Sequence, residues 1–205
     1  MFQEGLGEAI GIKAKLYVSD NVKPCFCRAR TVPYALRTKI EQELQWLTDQ
    51  KAIESVDMSE WAVPIVPVLK SDGSLRICSD YKFIINCAAK PDVYPLPHTE
   101  DLFATLSGGK SFTKLDLAKA YQQIPLKDTS KQYVTINTHK GLYRYNRLPF
   151  GVSAAPSIFQ RIMENLLQGI PGVSIYLDDI LIIGPTDNVT LDKVLDRLET
   201  AGLRL

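Results

Sequence analysis

Residues 173–183 read VSIYLDDILII, two short apolar runs on either side of a pair of adjacent aspartates. Apolar runs of this length are typical of buried strands, and the aspartates between them predict a tight hairpin turn. Asp178 and Asp179 repel each other there, as neighbouring like charges do. A solvated turn accounts for them, because aspartate is a favoured turn residue. A cation site also accounts for them, because carboxylate oxygens suit Mg²⁺, whose charge offsets the repulsion.

A further carboxylate lies in the apolar stretch 112–117. Asp116 alternates with Leu115 and Leu117, so a strand there puts the aspartate on one face and the leucines on the other. An aspartate exposed to water at a strand end is the simpler interpretation. If sheet pairing brings it beside the aspartate pair, the carboxylates form the kind of site that two-metal phosphoryl transfer requires.

The chain as a whole mixes helices and strands without βαβ regularity, which favours the α+β class. Pro64 and Pro67 place the strand predicted over 62–69 at a sheet edge, because proline cannot donate to a central ladder. The other predicted strands are one at 75–80, after a turn at 71–74, and a hairpin at 133–147 turned at 139–141; a short helix is predicted at 101–106. Three amphipathic helices are predicted as well: one after Pro33, one after Pro156, and a last one capped by Gly202. Their apolar faces are, in that order, Leu36, Ile40, Leu44 and Leu47; Phe159, Ile162, Met163 and Leu166; and Leu191, Val194, Leu195 and Leu198.

Composition excludes several classes of protein. A chain of 205 residues with 45% hydrophobic and 23% charged residues is neither disordered, collagen-like nor disulfide-dense. The net charge of +1 means that any nucleic-acid contact needs either basic residues gathered locally or acidic residues whose own role offsets the basic ones. No signal peptide or apolar run of about 18 residues is present, so we expect a soluble, intracellular, cytoplasmic protein without membrane contact. The cysteines are expected to be reduced thiols rather than zinc ligands; they are Cys25, Cys27, Cys78 and Cys87.

Five blocks in a fixed order carry a resemblance to a known family. The blocks are LRICSDY at 75–81, VYPLP at 93–97, KLDLAKAYQQI at 114–124, RLPFGVSAAPSIFQ at 147–160 and YLDD at 176–179. With these blocks the chain resembles reverse transcriptases, RNA-directed DNA polymerases, and is most similar to those of gypsy-type long-terminal-repeat retrotransposons. The order and spacing of the blocks are far more specific than a lone aspartate pair.

The resemblance implies a right-hand polymerase fold reduced to fingers and palm, with an antiparallel palm sheet and flanking helices. It divides the chain into an extended basic lead-in at 1–32, mainly fingers at 33–111 and mainly palm at 112–205. It also implies template-directed addition of deoxynucleotides to a primer 3′-hydroxyl. The partners would be an RNA or DNA template with its primer, and deoxynucleoside triphosphates.

The metal site follows from the same blocks. Asp116, Asp178 and Asp179 would be the catalytic carboxylates and would bind two Mg²⁺ ions, with Mn²⁺ as a possible substitute. The main-chain carbonyl of Leu117 would complete the coordination.

The resemblance also implies a nucleotide pocket. Tyr121 would be the steric gate that excludes a ribose 2′-hydroxyl, and Arg76 would bind the triphosphate through its guanidinium fork. Alternatively, Tyr121 is a core residue and Arg76 pairs with Asp80 or another acidic residue. The remaining contacts would be Lys70, Phe150, Gly151 and Tyr176, with Phe150 alternatively part of a packed turn.

Basic residues near the start of the chain are candidates for template phosphates, or form a merely solvated face. They are Lys23, Arg28, Arg30, Arg37 and Lys39.

The sequence departs from the family pattern in two respects. No thumb or ribonuclease H portion follows within the 205 residues, so these are expected from a parent polyprotein. Ser71 stands where a second phosphate-binding lysine is common in relatives, which weakens that site. The alternative function is therefore an inactive transposon-derived fragment that acts at most as a nucleic-acid-binding or interaction module.

Overall fold

The structure, a computed structural model, describes residues 5–19, 21–70, 73–82, 85–89, 94–184 and 189–205. Its helices are α1 (Tyr34–Asp49), α2 (Ile85–Ala88), α3 (Thr99–Leu106), α4 (Asp128–Lys131), α5 (Ala155–Leu167) and α6 (Val189–Thr200). Its strands are β1 (Ile53–Val56), β2 (Val63–Leu69), β3 (Leu75–Ser79), β4 (Ser111–Asp116), β5 (Thr135–Thr138), β6 (Gly141–Tyr145), β7 (Val173–Tyr176) and β8 (Asp179–Gly184). Short 3₁₀ segments cover Ala120–Gln123 and Gln132–Val134.

The chain forms two compact units. The first, called here the palm-side unit, comprises Met1–Ile12, Asp92–Ile124 and Pro156–Leu205. The second, called here the five-stranded unit, comprises Lys13–Pro91 and Pro125–Ala155. Each unit is thus built from separated segments of the chain, and residues 125–155 belong with 13–91.

The palm-side unit contains a three-stranded antiparallel sheet in the order β4-β8-β7. The apolar runs of residues 173–183 form its hairpin, as the sequence predicts, and α6 lies against β8. The face that α5 buries is rotated from the predicted one. Ile162 and Leu166 are only half-buried. The residues of α5 in the core are Ile158, Phe159, Met163 and Leu167, together with the polar Gln160.

The five-stranded unit has a sheet in the order β1-β6-β5-β2-β3, in which only the β2–β5 pair is parallel. The predicted edge position of β2 is wrong, because β5 and β3 flank it. β5 pairs with Val63 and Pro64, while β3 pairs with Ile65–Leu69. Pro67 faces Ile77 midway between the hydrogen-bonded pairs of this ladder, where an N–H would point away from β3.

Helix α1 confirms the predicted amphipathic helix. It buries Ile40, Leu44 and Leu47 and packs against β1 and β3. The β2–β3 hairpin is also confirmed, and its turn is closed by the Lys70 N–H on the Ser74 carbonyl at 2.9 Å. Two residues of that predicted turn, Ser71 and Asp72, lie outside the described residues.

None of the helices in the described ranges has both the length and the apolar character that a membrane crossing demands.

Candidate active site

The register of the β4–β8 ladder brings the predicted carboxylates to one end of the palm-side sheet. Asp116 is the cross-strand partner of Asp179, and Tyr176 faces Asp179 from the other side. The Leu117 N–H lies 3.4 Å from the Asp178 carbonyl, which ties the end of β4 to the turn between β7 and β8. Residues more than sixty positions apart in sequence therefore lie together at one end of a small sheet.

The carboxylates are open to solvent, whereas the chain beside them is buried. Asp116 and Asp178 are exposed, and the Asp179 side chain is 34% exposed. Leu117 is only 3% exposed, so its side chain anchors the strand end in the core. A solute can thus reach all the carboxylates while the backbone that carries them stays fixed.

A cationic side chain, Lys114, lies among these carboxylates. Its Nζ is 2.8 Å from Asp179 Oδ2. The hydrogen bond to Asp179 and the negative charges of Asp179, Asp116 and Asp178 raise the pKa of Lys114 above its ordinary value. Sequence reasoning missed Lys114, although its spacing of two residues from Asp116 on a strand puts both on the same face.

Carboxylates and a main-chain carbonyl are the oxygen donors that Mg²⁺ prefers. In the ranges that the structure describes, no group of three or more His, Cys, Asp or Glu side chains is arranged so that it could hold a metal ion. The Lys114 ammonium is the cation that contacts Asp179. The oxygen donors are of the type that a divalent cation prefers, and the register puts Asp116 beside Asp179, so the donor chemistry fits such an ion although the side chains do not form a closed site.

The turn that carries the aspartates has a left-handed residue at Leu177, with φ of 56°. This conformation is unfavourable for leucine because of its Cβ. The Leu177 N–H donates to Gln160 Oε1 at 2.8 Å, and Gln160 Nε2 donates to the Ile175 carbonyl at 2.8 Å. Gln160 is fully buried. Its signal in the sequence is a polar residue on the apolar side of α5, which sequence reasoning passed over.

Tyr121 lies close to the aspartates. Burial and then the charge of Asp178 raise the pKa of its phenol above the ordinary value. Its ring packs edge-on against Phe159, with ring centroids 5.3 Å apart. Tyr121 is therefore partly a core residue, as one sequence interpretation held, and still lies within electrostatic reach of the site. Tyr176 is 40% exposed.

The other predicted nucleotide contacts belong to the five-stranded unit. The Arg76 guanidinium lies over the Phe150 ring at 4.9 Å. Gly151 has φ of 95°, and a Cβ there would lie 2.9 Å from the Ser79 carbonyl oxygen, so close backbone packing requires glycine. Lys70 is exposed beside the β2–β3 turn.

Asp80, the alternative partner considered for Arg76, accepts a hydrogen bond from Arg30 at 2.5 Å. Arg37 lies over the Tyr34 ring at 5.5 Å, and Lys39 Nζ donates to the Gly73 carbonyl at 2.9 Å. These three cations are exposed, as are Lys23 and Arg28. The basic residues thus remain open to an anionic partner, although several already have contacts within the protein.

Facing aspartates at one end of an antiparallel sheet, beside a half-buried tyrosine, are the arrangement expected for the palm of a polymerase-like domain. The chain belongs to the family "Reverse transcriptase (RNA-dependent DNA polymerase)", whose sequence profile matches residues 68–205. This is the reverse transcriptase domain of retrotransposon and retroviral Pol polyproteins.

Relatives of this chain are much longer proteins. The chain is 36% identical over its whole length to "Uncharacterized protein K02A2.6" of Caenorhabditis elegans, of which it covers 16%. It is 30% identical over 95% of its length to the "Retrovirus-related Pol polyprotein from transposon 297" of Drosophila melanogaster, of which it covers 19%. The chain therefore spans about a sixth to a fifth of these relatives.

Solved structures confirm the predicted fold. The foamy viral protease-reverse transcriptase dRH in complex with double-stranded DNA matches with a TM-score of 0.90 and 25% identity, covering 100% of this chain and 37% of that one. The same viral protein in complex with an RNA/DNA hybrid matches with a TM-score of 0.89 at 24% identity, covering 99% of this chain and 28% of that one. The fold is the fingers-and-palm α+β fold of reverse transcriptases.

Proposed function

We propose that the chain is the fingers and palm of an RNA-directed DNA polymerase, which adds deoxynucleotides to a primer 3′-hydroxyl on an RNA or DNA template. The observation that carries this proposal is the cross-strand pairing of Asp116 with Asp179 in a chain of the reverse transcriptase family. A longer polyprotein of a gypsy-type retrotransposon would supply the thumb and ribonuclease H portions. We assign mainly fingers to 33–111, mainly palm to 112–205 and a basic lead-in to 1–32.

Asp116, Asp178 and Asp179 would hold two Mg²⁺ ions, with the Leu117 carbonyl as a further ligand and Mn²⁺ as a substitute. When bound, the ions supply activation of the primer hydroxyl and charge neutralisation at the triphosphate. Because the Lys114 ammonium lies on Asp179 Oδ2, that oxygen accepts a metal only when the ammonium has moved away.

The proposed nucleotide contacts are the residues that the family blocks indicate. The Arg76 guanidinium would bind the triphosphate, and its contact with Phe150 limits the rotamers it samples beforehand. Tyr121 would exclude ribonucleotides, since packing on Phe159 fixes where its ring stands. The other nucleotide contacts would be Lys70, Gly151 and Tyr176. Template phosphates would be bound by Lys23, Arg28, Arg30, Arg37 and Lys39, which gives salt-sensitive, sequence-independent affinity.

Primer extension on an RNA template with deoxynucleotides and Mg²⁺ or Mn²⁺ tests the proposal. The chain is compared with Asp178→Asn, which removes a candidate ligand charge, and with Asp192→Asn, which removes a charge on an exposed residue of α6. Extension by the wild type and Asp192→Asn, but not by Asp178→Asn, supports the polymerase and its metal site together.

Other outcomes contradict it. Equal extension by all three proteins refutes the role of Asp178 and points to a contaminating polymerase. Salt-sensitive binding of a primer–template without extension by any of them favours the nucleic-acid-binding module instead.

A further inference from the structure

A chain of hydrogen bonds leads from the segment before α3 to the turn that carries the aspartates. The Tyr94 hydroxyl donates to Glu164 Oε2, and Gln160 Nε2 donates to Glu164 Oε1 at 2.7 Å. Gln160 in turn holds the Leu177 N–H through its Oε1. Both carboxylate oxygens of Glu164 are thereby used within the palm-side unit.

Glu164 reinforces the direction in which the buried Gln160 amide faces. The two N–H groups of Nε2 have two acceptors, Glu164 Oε1 and the Ile175 carbonyl. If the amide were reversed, its oxygen would face both acceptors and its NH₂ would face the Leu177 N–H. The backbone groups of Ile175 and Leu177 already favour the observed orientation, and the carboxylate satisfies the second Nε2 N–H, which a fully buried amide cannot otherwise pair with water.

The orientation matters because Leu177 is in the left-handed region, where its backbone is strained. The hydrogen bond from its N–H to Gln160 opposes relaxation of that turn. Asp178 follows directly, so a change at Leu177 rotates the peptide that carries this carboxylate. The Arg161 guanidinium lies 5.9 Å from the centre of the Tyr94 ring and helps to hold Tyr94, the outer member of this hydrogen-bond series, in place.

We propose that Glu164 and Tyr94 are positioning residues, which act through Gln160 to hold the left-handed turn at Leu177 and thereby the place of Asp178. The consequence for catalysis rests on the proposed function; the effect on the turn does not. No contact of either residue with a nucleotide or metal is required.

Hydrogen exchange of the Leu177 amide, measured by NMR in the protein without metal or substrate, tests the positioning directly. Glu164→Leu leaves a Gln160 donor without its acceptor, and we expect exchange at Leu177 to accelerate roughly two- to tenfold, as loss of one hydrogen bond implies. Tyr94→Phe removes only the outer hydrogen bond, so a smaller acceleration is expected. Glu164→Gln keeps an acceptor oxygen for Gln160 and should restore protection.

The matched control is Asn165→Leu, which changes an exposed side chain next to Glu164 on the same helix. Unchanged exchange at Leu177 in both Glu164→Leu and Tyr94→Phe overturns the proposal. Acceleration spread equally over the amides of α5 and β4 also overturns it, because it indicates general loosening.

Primer extension provides the second readout. If the polymerase assignment holds, Glu164→Leu lowers kcat with little change in KM for the deoxynucleotide, and Glu164→Gln restores kcat. If no variant or wild type extends a primer, the proposed function fails, yet the exchange measurement still decides whether Glu164 positions the turn.

Discussion

Asp116 and Asp179 are direct cross-strand partners in the β4–β8 ladder, and Lys114 Nζ lies 2.8 Å from Asp179 Oδ2. Like charges in facing positions destabilise an antiparallel pair. The arrangement is tolerable because the carboxylates are accessible to water and a lysine side chain lies among them. The structure therefore places a lysine ammonium where the proposed metal ions would bind.

Replacing Lys114 tests whether its ammonium competes with a metal ion for Asp179. We expect Lys114→Met to tighten Mn²⁺ binding about two- to fivefold, the range expected for loss of an exposed charge interaction. The affinity is measured by titration with electron paramagnetic resonance of free Mn²⁺. Lys127→Met, at an exposed lysine of the five-stranded unit, is the control for net charge. Unchanged or weaker binding in Lys114→Met shows that the ammonium does not compete.

Tyr121 is expected to set sugar selectivity. Tyr121→Ala removes the ring that packs against Phe159 and should raise incorporation of ribonucleotides relative to deoxynucleotides by at least about tenfold, since excluded volume is the only barrier assigned to it. Tyr121→Phe keeps the ring and should keep the selectivity. The measurement is single-nucleotide extension with matched ribo- and deoxynucleotides. Equal selectivity in wild type and Tyr121→Ala removes the gate assignment.

Arg76 is expected to act in nucleotide binding more than in chemistry. Arg76→Lys retains the charge but loses the planar fork and its stacking on Phe150, so KM for deoxynucleotides should rise roughly tenfold with a smaller change in kcat. Phe150→Leu should raise KM less, because it leaves the guanidinium intact. Steady-state extension kinetics separate the two parameters. A fall in kcat alone would contradict this role.

Local patterns predicted most of the elements. The apolar runs of residues 173–183 and the periodicity of α1 define β7, β8 and a helix without reference to the rest of the chain. The edge assignment of β2 failed because it treated every proline in a strand as costly. Pro67 instead occupies a position whose N–H would make no hydrogen bond to β3.

The residues of the candidate site likewise fall into those that the sequence predicted and those that it did not. The aspartates are visible as charges in apolar stretches, and the family blocks suggest their roles. Gln160 and Lys114 were missed because their significance depends on partners that the fold brings together: the Leu177 N–H for one and Asp179 for the other. Glu164 is an ordinary helical glutamate until Tyr94 is placed beside it.

A cross-strand ion pair in the five-stranded unit should make stability depend on pH. Glu54 faces Arg144 between β1 and β6, and hydrogen bonds from that guanidinium lower the pKa of Glu54 below its ordinary value of 4.5. Because the folded-state pKa is the lower one, the stabilisation is present above pH 4.5 and disappears as the pH falls through the folded-state pKa.

Both partners are partly exposed, so Glu54→Gln should cost less than about 1 kcal/mol of unfolding free energy at pH 7. The difference from wild type should shrink as the pH is lowered from 7 to about 3, which is about 1.5 units below the ordinary value of 4.5. Urea unfolding at both pH values measures it, with Glu60→Gln at an exposed position as the control. A difference that persists unchanged at the lower pH contradicts the linkage.

Gly202 should be among the least replaceable glycines of the palm-side unit. It ends α6 with φ of 76°, its carbonyl accepts the Glu8 N–H at 2.9 Å, and a Cβ there would lie 2.2 Å from the Glu8 carbonyl oxygen. Gly169 has a similar φ of 82° but nothing within 4 Å of the position of a Cβ.

Gly169→Ala therefore measures the backbone cost alone, about 1 to 2 kcal/mol. Gly202→Ala adds a backbone collision worth a further 1 to 3 kcal/mol or so and should loosen the segment around Glu8. Thermal unfolding of the two variants provides the comparison, and equal losses would mean that the amino-terminal segment yields without cost.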